Sequence, residues 1–136
     1  MTEETLVLIK PDAVKKKHIG DILKIYEANN LEITAMRMLT MTKEMAAKHY
    51  VEHLERPYYS DLEGFMTSGP IVALILKGED AIKRVREING KTNPKDAAEG
   101  TIRKLYAENG SRNAVHASDS SESAKRELNI FFGEQA

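Results

Sequence analysis

The chain has 136 residues, of which 41% are hydrophobic, enough for one core, and 20 Lys plus Arg against 21 Asp plus Glu leave a formal net charge of -1. That balance provides no overall basic field for a nucleic acid or an anionic membrane, so any anion site must be local. The absence of cysteine excludes disulfides and Cys-ligated zinc, and no apolar run approaches the roughly 18 residues of a membrane span. The start, Met1 to Thr5, is acidic and polar, unlike a secretory leader, so the expectation is one domain over residues 1–136 of a cytoplasmic protein.

Thr5 to Lys10 predicts a buried strand, because Leu6, Val7, Leu8 and Ile9 are uninterrupted and Pro11-Asp12 end the run. Lys10 then stands at the strand's C-terminal edge, and Lys15-Lys16-Lys17 reads as a solvated turn. Ile19, Ile22, Leu23 and Tyr26 recur at helical spacing until Asn29-Asn30. Leu31, Ile33 and Ala35 alternate as in a half-buried strand, and the phase change at Met36 and Met38 predicts a bulge or a bend. Thr42 to His53 is helical again, and a short helical piece follows Pro57 through Leu62 and Met66 until Ser68-Gly69-Pro70 breaks it. Ile71 to Leu76 is a second unbroken apolar run and predicts a central strand. Ala81, Ile82, Val85 and Ile88 predict a helix closed by Asn89-Gly90. Lys91 to Arg112 is a long polar connection, with one helical turn expected at Thr101 to Leu105; loops of that length in small domains usually serve function. This order predicts an α+β sandwich with a mainly antiparallel sheet.

The last stretch is Asn113-Ala114-Val115-His116-Ala117-Ser118-Asp119, followed by a helical run from Ser120 to Leu128. Asp119 and Glu122 have the i,i+3 spacing of a capping box, which predicts a helix entrance close to His116. Free N–H groups at such an entrance favour negative charge, phosphate included. Imidazole, with an ordinary pKa of about 6.5, also keeps a lone pair available near neutral pH. Asp119, committed to backbone N–H groups, and Ser118 are assigned to positioning. By residue type alone, His116 reads as a strand-end histidine, Glu127 as an exposed helix glutamate and Arg86 as a partner of a helix C-terminus.

The pattern Asn113-x-x-His116-x-Ser118-Asp119 resembles the active-site signature of the nucleoside diphosphate kinases. The likeness continues through Leu8-Ile9-Lys10-Pro11-Asp12-Ala13, His49-Tyr50, Arg56-Pro57, Ser68-Gly69-Pro70, Thr92-Asn93-Pro94 and Gly100-Thr101-Ile102-Arg103, in the family's order and nearly its spacing. The resemblance implies a ferredoxin-like βαββαβ sandwich with a four-stranded sheet and extra helices. It also implies a two-step exchange of the γ-phosphate between nucleoside triphosphates and diphosphates, carried on His116. Glu127 would orient the ring, and Lys10 and Tyr50 would lie near the transferred group. Arg86, Thr92 and Arg103 would hold the phosphates, Asn113 and Lys10 the sugar hydroxyls, and Tyr58 and Leu62 the base. Mg²⁺ is expected on the phosphates and water without a protein cage. A homo-oligomer, tetramer or hexamer, is implied, with the Lys91 to Arg112 loop as a contact. The chain departs from the family's usual residues at Tyr58, where phenylalanine is common, at Gly110, Ala117 and Lys104-Leu105-Tyr106.

Three other readings are set aside. Gly90-Lys91-Thr92 resembles the tail of a P-loop, but Val85 stands where its first glycine belongs and a helix precedes it. His49 and His53 share a helical face but lack a third metal ligand; a partly buried His49 and an exposed His53 are expected. Met36, Met38, Met41 and Met45 read as core or subunit-contact filler. A nucleotide-sensing or nucleic-acid-binding module is the rival function, and 6% aromatic content with no interleaved Lys/Arg stripe argues against single-strand binding.

Overall fold

The structure, a computed structural model, describes residues 2–133, so residues 1 and 134–136 of the expected domain lie outside the described residues. Strand β1 (Thr2–Ile9) leads through a short helix α1 (Pro11–Lys15) into α2 (Ile19–Ala28) and strand β2 (Glu32–Leu39). Helix α3 (Lys43–His49), a 3-10 turn (Val51–His53) and α4 (Tyr59–Met66) come before strand β3 (Ile71–Glu79). Helix α5 (Ala81–Asn89), helix α6 (Ile102–Tyr106), strand β4 (Val115–Ala117) and helix α7 (Ser121–Phe132) complete the chain. The four strands form one sheet in the order β2-β3-β1-β4, and every neighbouring pair is antiparallel. This is the ferredoxin-like arrangement: β1 and β2 run parallel with β3 between them, and β3 and β4 run parallel with β1 between them.

The unbroken apolar runs have a simple cause, since β1 and β3 are covered on both faces and successive side chains point to opposite sides. Val7 and Ile9 of β1, with Leu74 and Leu76 of β3, meet Ile22 and Tyr26 of α2 and Val85 of α5. Leu6, Leu8, Ala73 and Ile75 face the other way, onto Ala46 of α3, Met66 of α4 and Leu128 and Phe131 of α7. Burying a leucine such as Leu8 completely is worth about 1.5–3 kcal/mol relative to leaving it exposed. Strand β2 has one covered neighbour only, and its register shifts between Ile33 and Ala35, the bulge expected from the phase change. Met36 and Met38 on that edge strand are 59% and 58% exposed, so they are surface residues and not core filler, whereas Met41 is buried.

Two local expectations change. Pro11 and Asp12 end β1 as expected but also start α1, with the proline ring preset for a first helical position. Lys15 belongs to that helix's last turn, while Lys16 pairs with Glu108 across the surface. The cap of α7 is Ser120, whose hydroxyl accepts the Ser123 N–H at 3.1 Å, and not Asp119 with Glu122. A serine one position later satisfies the same orphan N–H groups, and spacing alone did not separate the two.

Candidate active site

The site is assembled where β1 and β4 end side by side. Residue Ala114, just before β4, has φ of +72, a backbone region costly for a residue with a Cβ. Two bonds hold it there: the Asp12 carboxylate accepts the Ala114 N–H at 3.0 Å, and the Lys10 N–H donates to the Ala114 carbonyl at 2.8 Å. Asp12, read in the sequence as a strand stop and as part of the Leu8 to Ala13 stretch, is a buried bracket for the segment that carries His116. The Lys10 ammonium is buried and donates to Asn113 Oδ1 at 2.7 Å. Burial pulls its pKa down to about 8, with the Arg103 guanidinium adding to the shift and the Asp12 carboxylate opposing it.

In β4, His116 pairs with Leu8 of β1, which fixes its backbone. Its Nε2 lies 2.9 Å from Glu127 Oε1, and Ser118 Oγ donates to the same carboxylate oxygen at 2.7 Å. The other carboxylate oxygen faces Arg126 Nη2 at 3.6 Å, and Arg126 also donates to the carbonyl of Lys48 in α3. Glu127 is therefore a buried, three-sided fixture and not an exposed helix glutamate. With Nε2 donating to a carboxylate, the remaining lone pair of the neutral ring sits on Nδ1. His49, one turn of ring packing away, stacks edge-on against His116 at a centroid distance of 4.6 Å and against Tyr50 at 4.5 Å. Burial first, then the neighbouring His116, Arg126, Lys10 and His53, hold its pKa well below the usual imidazole range. His49 is thus fully buried where partial burial was expected, and His53 is half-buried where exposure was expected, because α3 packs its last turn onto α7.

Around this floor opens a cleft of about 1930 Å³. Lys10, Tyr50, Tyr58, Leu62, Arg86, Thr92, Arg103, Asn113, His116 and Glu127 all line it, although they come from separate elements; Ser118 stands behind, against Glu127. Gly90 shapes one wall of the cleft: its φ is +90, and a Cβ there would come within 2.6 Å of Thr101 Oγ1. That close approach lets Arg103, in the α6 helix capped by Thr101, donate to the Gly90 carbonyl at 2.9 Å and to the Val115 carbonyl at 2.8 Å. Its buried Nε has no protein partner, and burial lowers the guanidinium pKa. Asn113 donates to the carbonyls of Thr92 and Gly110 at 3.2 and 3.1 Å, tying the long loop to the strand. Arg86 lies exposed on α5 at the cleft.

The opposite rim is apolar and aromatic. Tyr58 is 49% exposed, and its hydroxyl lies 2.5 Å from His53 Nδ1. Leu62 is half-buried in α4, and Arg112 caps the Phe65 ring at 4.8 Å. Sequence reasoning missed His49, His53 and Arg112 as parts of the cleft; only the His49-Tyr50 pair of the family signature pointed toward the first of them. Tyr50 is buried with its hydroxyl unpartnered, and burial, then Glu127, pushes its pKa up, so it stays a neutral donor.

Comparison with known proteins agrees with this geometry. The family model described as nucleoside diphosphate kinase matches residues 3–136. A nucleoside diphosphate kinase of Nitrosococcus oceani is 55% identical over 130 residues, covering 96% of this chain and 91% of that protein. One from Clostridium perfringens is 52% identical over the same share of each. Among solved structures, the Aquifex aeolicus nucleoside diphosphate kinase superposes with a TM-score of 0.95 at 44% identity, over 97% of this chain and 96% of that one. A Halobacterium salinarum nucleoside diphosphate kinase in complex with CDP reaches 0.94 at 37% identity, over 98% and 90%. The chain belongs to the nucleoside diphosphate kinase family.

Proposed function

We propose that this chain is a nucleoside-diphosphate kinase that carries the transferred phosphoryl group on Nδ1 of His116. The observation that carries the reading is the His116 Nε2 to Glu127 bond, which holds the ring by one nitrogen and leaves the other lone pair free. In the first half-reaction, Nδ1 attacks the γ-phosphorus of a nucleoside triphosphate in line, the bond to the β-phosphate oxygen breaks, and the diphosphate leaves. The positive charge that develops on the ring is met by the Glu127 carboxylate, itself fixed by Ser118 and Arg126. The second diphosphate reverses these steps. Lys10, Tyr50, Arg86, Thr92 and Arg103 offer the donors that a phosphate chain needs, Asn113 and Lys10 those for the sugar hydroxyls, and Tyr58 with Leu62 an apolar face for any base. Affinity that rests on phosphate and sugar suits a broad range of bases.

Nucleotide kinases use a divalent cation, and Mg²⁺ fits the residues present. Lys10, Arg86 and Arg103 supply positive charge, and Asp119 adds an exposed carboxylate to the cleft. Hydrogen bonds from Ser123 and Ser120, with Arg86 nearby, hold its pKa below the usual range. Such a site suits a cation carried in on phosphates and water, with Asp119 accepting from a bound water. Residues 1–136 act as one domain, in a cytoplasmic homo-oligomer, tetramer or hexamer. Support for the oligomer comes from exposed Met36 and Met38 on the uncovered edge strand, a surface that a second copy would bury. Among the described residues, no helix is long and apolar enough to cross a membrane.

Incubation with γ-labelled ATP should leave an acid-labile, base-stable phosphate on the protein, and dTDP should then remove it. Label retained on His116→Ala overturns the assignment. Light scattering at micromolar concentration gives the copy number, and a monomer would remove the proposed face from consideration.

A further inference from the structure

Beneath the cleft floor lie three metal-ligating side chains from three elements: His49 from the end of α3, His116 from β4 and Glu127 from α7. Ligand atoms of all three lie within 4.8 Å of one another. His49 is 4% exposed, and neither of its ring nitrogens has a hydrogen-bond partner. Unpaired nitrogens on a buried imidazole are costly to leave so, and a bound ion would satisfy one of the two. His116 Nε2 and Glu127 Oε1, at 2.9 Å, are already near the separation of two donors on one small cation. Zn²⁺ bonds of about 2.0–2.2 Å place tetrahedral donors about 3.3 Å apart. Closing the set on an ion brings donor atoms that now lie within 4.8 Å of one another to that separation.

We propose that this trio is an inhibitory site for a borderline-soft divalent cation of the Zn²⁺ class, distinct from the hard cation that arrives on nucleotide phosphates. Two imidazoles and one carboxylate form a donor set that suits zinc, whereas Mg²⁺ prefers an all-oxygen shell. All three side chains line the cleft, from which water can complete the shell. A cation here takes the Glu127 lone pair and a His116 nitrogen together. The cation on Nε2 displaces the proton held there, which moves to Nδ1 of the neutral ring; Nδ1 then has no lone pair with which to attack phosphorus, so phosphoryl transfer stops while nucleotide binding persists.

The binding part stands on the three side chains alone; the inhibition part rests on His116 as phosphoryl carrier, and the two are read separately. For binding, the full chain is titrated with Zn²⁺ against a chromophoric chelator, and with Co²⁺ for the visible bands of a four- or five-coordinate site. One ion per chain is expected, with affinity at least about tenfold weaker in His49→Phe. Phe keeps the packing against Phe131 and removes both nitrogens. His49→Gln, measured beside it, guards against a folding defect, which circular dichroism would expose. Equal affinity in the wild type and in whichever folded variant is used, or no binding near one equivalent, overturns the site. For inhibition, labelled phosphoenzyme formation is compared with and without Zn²⁺ at saturating Mg²⁺, each protein normalised to its own zinc-free rate. Zinc should slow the wild type at least about tenfold more than His49→Phe. Equal slowing shows that zinc acts on the nucleotide, and overturns the inhibitory role even if the ion binds.

Discussion

The floor and the rim of the cleft are built on different principles. The floor (Lys10, Asn113, His116, Ser118, Glu127) is buried or half-buried and cross-bonded at 2.7–2.9 Å, Lys10 to Asn113 and both His116 and Ser118 to Glu127. The rim (Tyr58, Leu62, Arg86, Thr92) is exposed or half-buried, and among the described residues its side chains make one tight bond, Tyr58 to His53. Chemistry needs a nucleophile fixed in direction, which packing and paired charge provide; tolerance of different bases needs a face that contacts a ring without reading its edges. Substitutions on the floor should therefore act on the rate of phosphoryl transfer, and substitutions on the rim on nucleotide affinity.

The largest effect should come from His116→Ala, with kcat reduced roughly 10⁴–10⁶-fold, the range seen when a covalent nucleophile is lost. Nucleotide binding, followed by calorimetry, should change little. Next is Glu127→Gln, which keeps shape and removes the fixed charge; kcat should fall about 10–100-fold with KM nearly unchanged. A drop in affinity without a drop in kcat would erase the distinction between floor and rim.

Lys10 sharpens the same comparison through pH. Its folded pKa, about 8, lies below the ordinary value of 10.5, so the ammonium is present below pH 8 and is lost as pH rises through it. A phosphate contact that needs that charge weakens on the alkaline side, and kcat/KM, which reports the free enzyme, should bend downward with a midpoint near 8. Lys10→Met should lower kcat/KM about 10–100-fold at pH 7, the scale of a charged hydrogen bond, and remove the bend. A wild-type profile flat to pH 9 would separate Lys10 from the phosphates.

The division between floor and rim also marks what the sequence reveals. Central strands were legible because Leu6 to Ile9 and Ile71 to Leu76 are buried on both faces and leave unbroken apolar runs. Helix α5 and its Gly90 stop were legible because glycine is required where a Cβ would strike Thr101. The role of Asp12 was hidden, since its bond to Ala114 joins residues far apart in the chain and no local pattern encodes it. His49 was hidden for a related reason: helical spacing paired it with His53, whereas the fold turns it onto His116. Resemblance to a family named the side chains that gather at the cleft, yet which nitrogen Glu127 holds came only from three-dimensional placement.

The smallest effects belong to Tyr58. Stacking on an aromatic ring is worth about 1–3 kcal/mol per base, so Tyr58→Ala should raise KM for nucleotides by roughly tenfold with kcat retained. Tyr58→Phe keeps the ring and removes only the hydroxyl that meets His53. That bond joins two partly exposed groups, and its loss is worth about 0.5–1.5 kcal/mol at most, a change in KM of only a few-fold. Because the hydroxyl is already engaged by His53, the change should be the same for ATP, GTP and CTP. Unequal shifts among the three would mean that the tyrosine hydroxyl reads base edges, and the rim would then be a specificity element and not a neutral face.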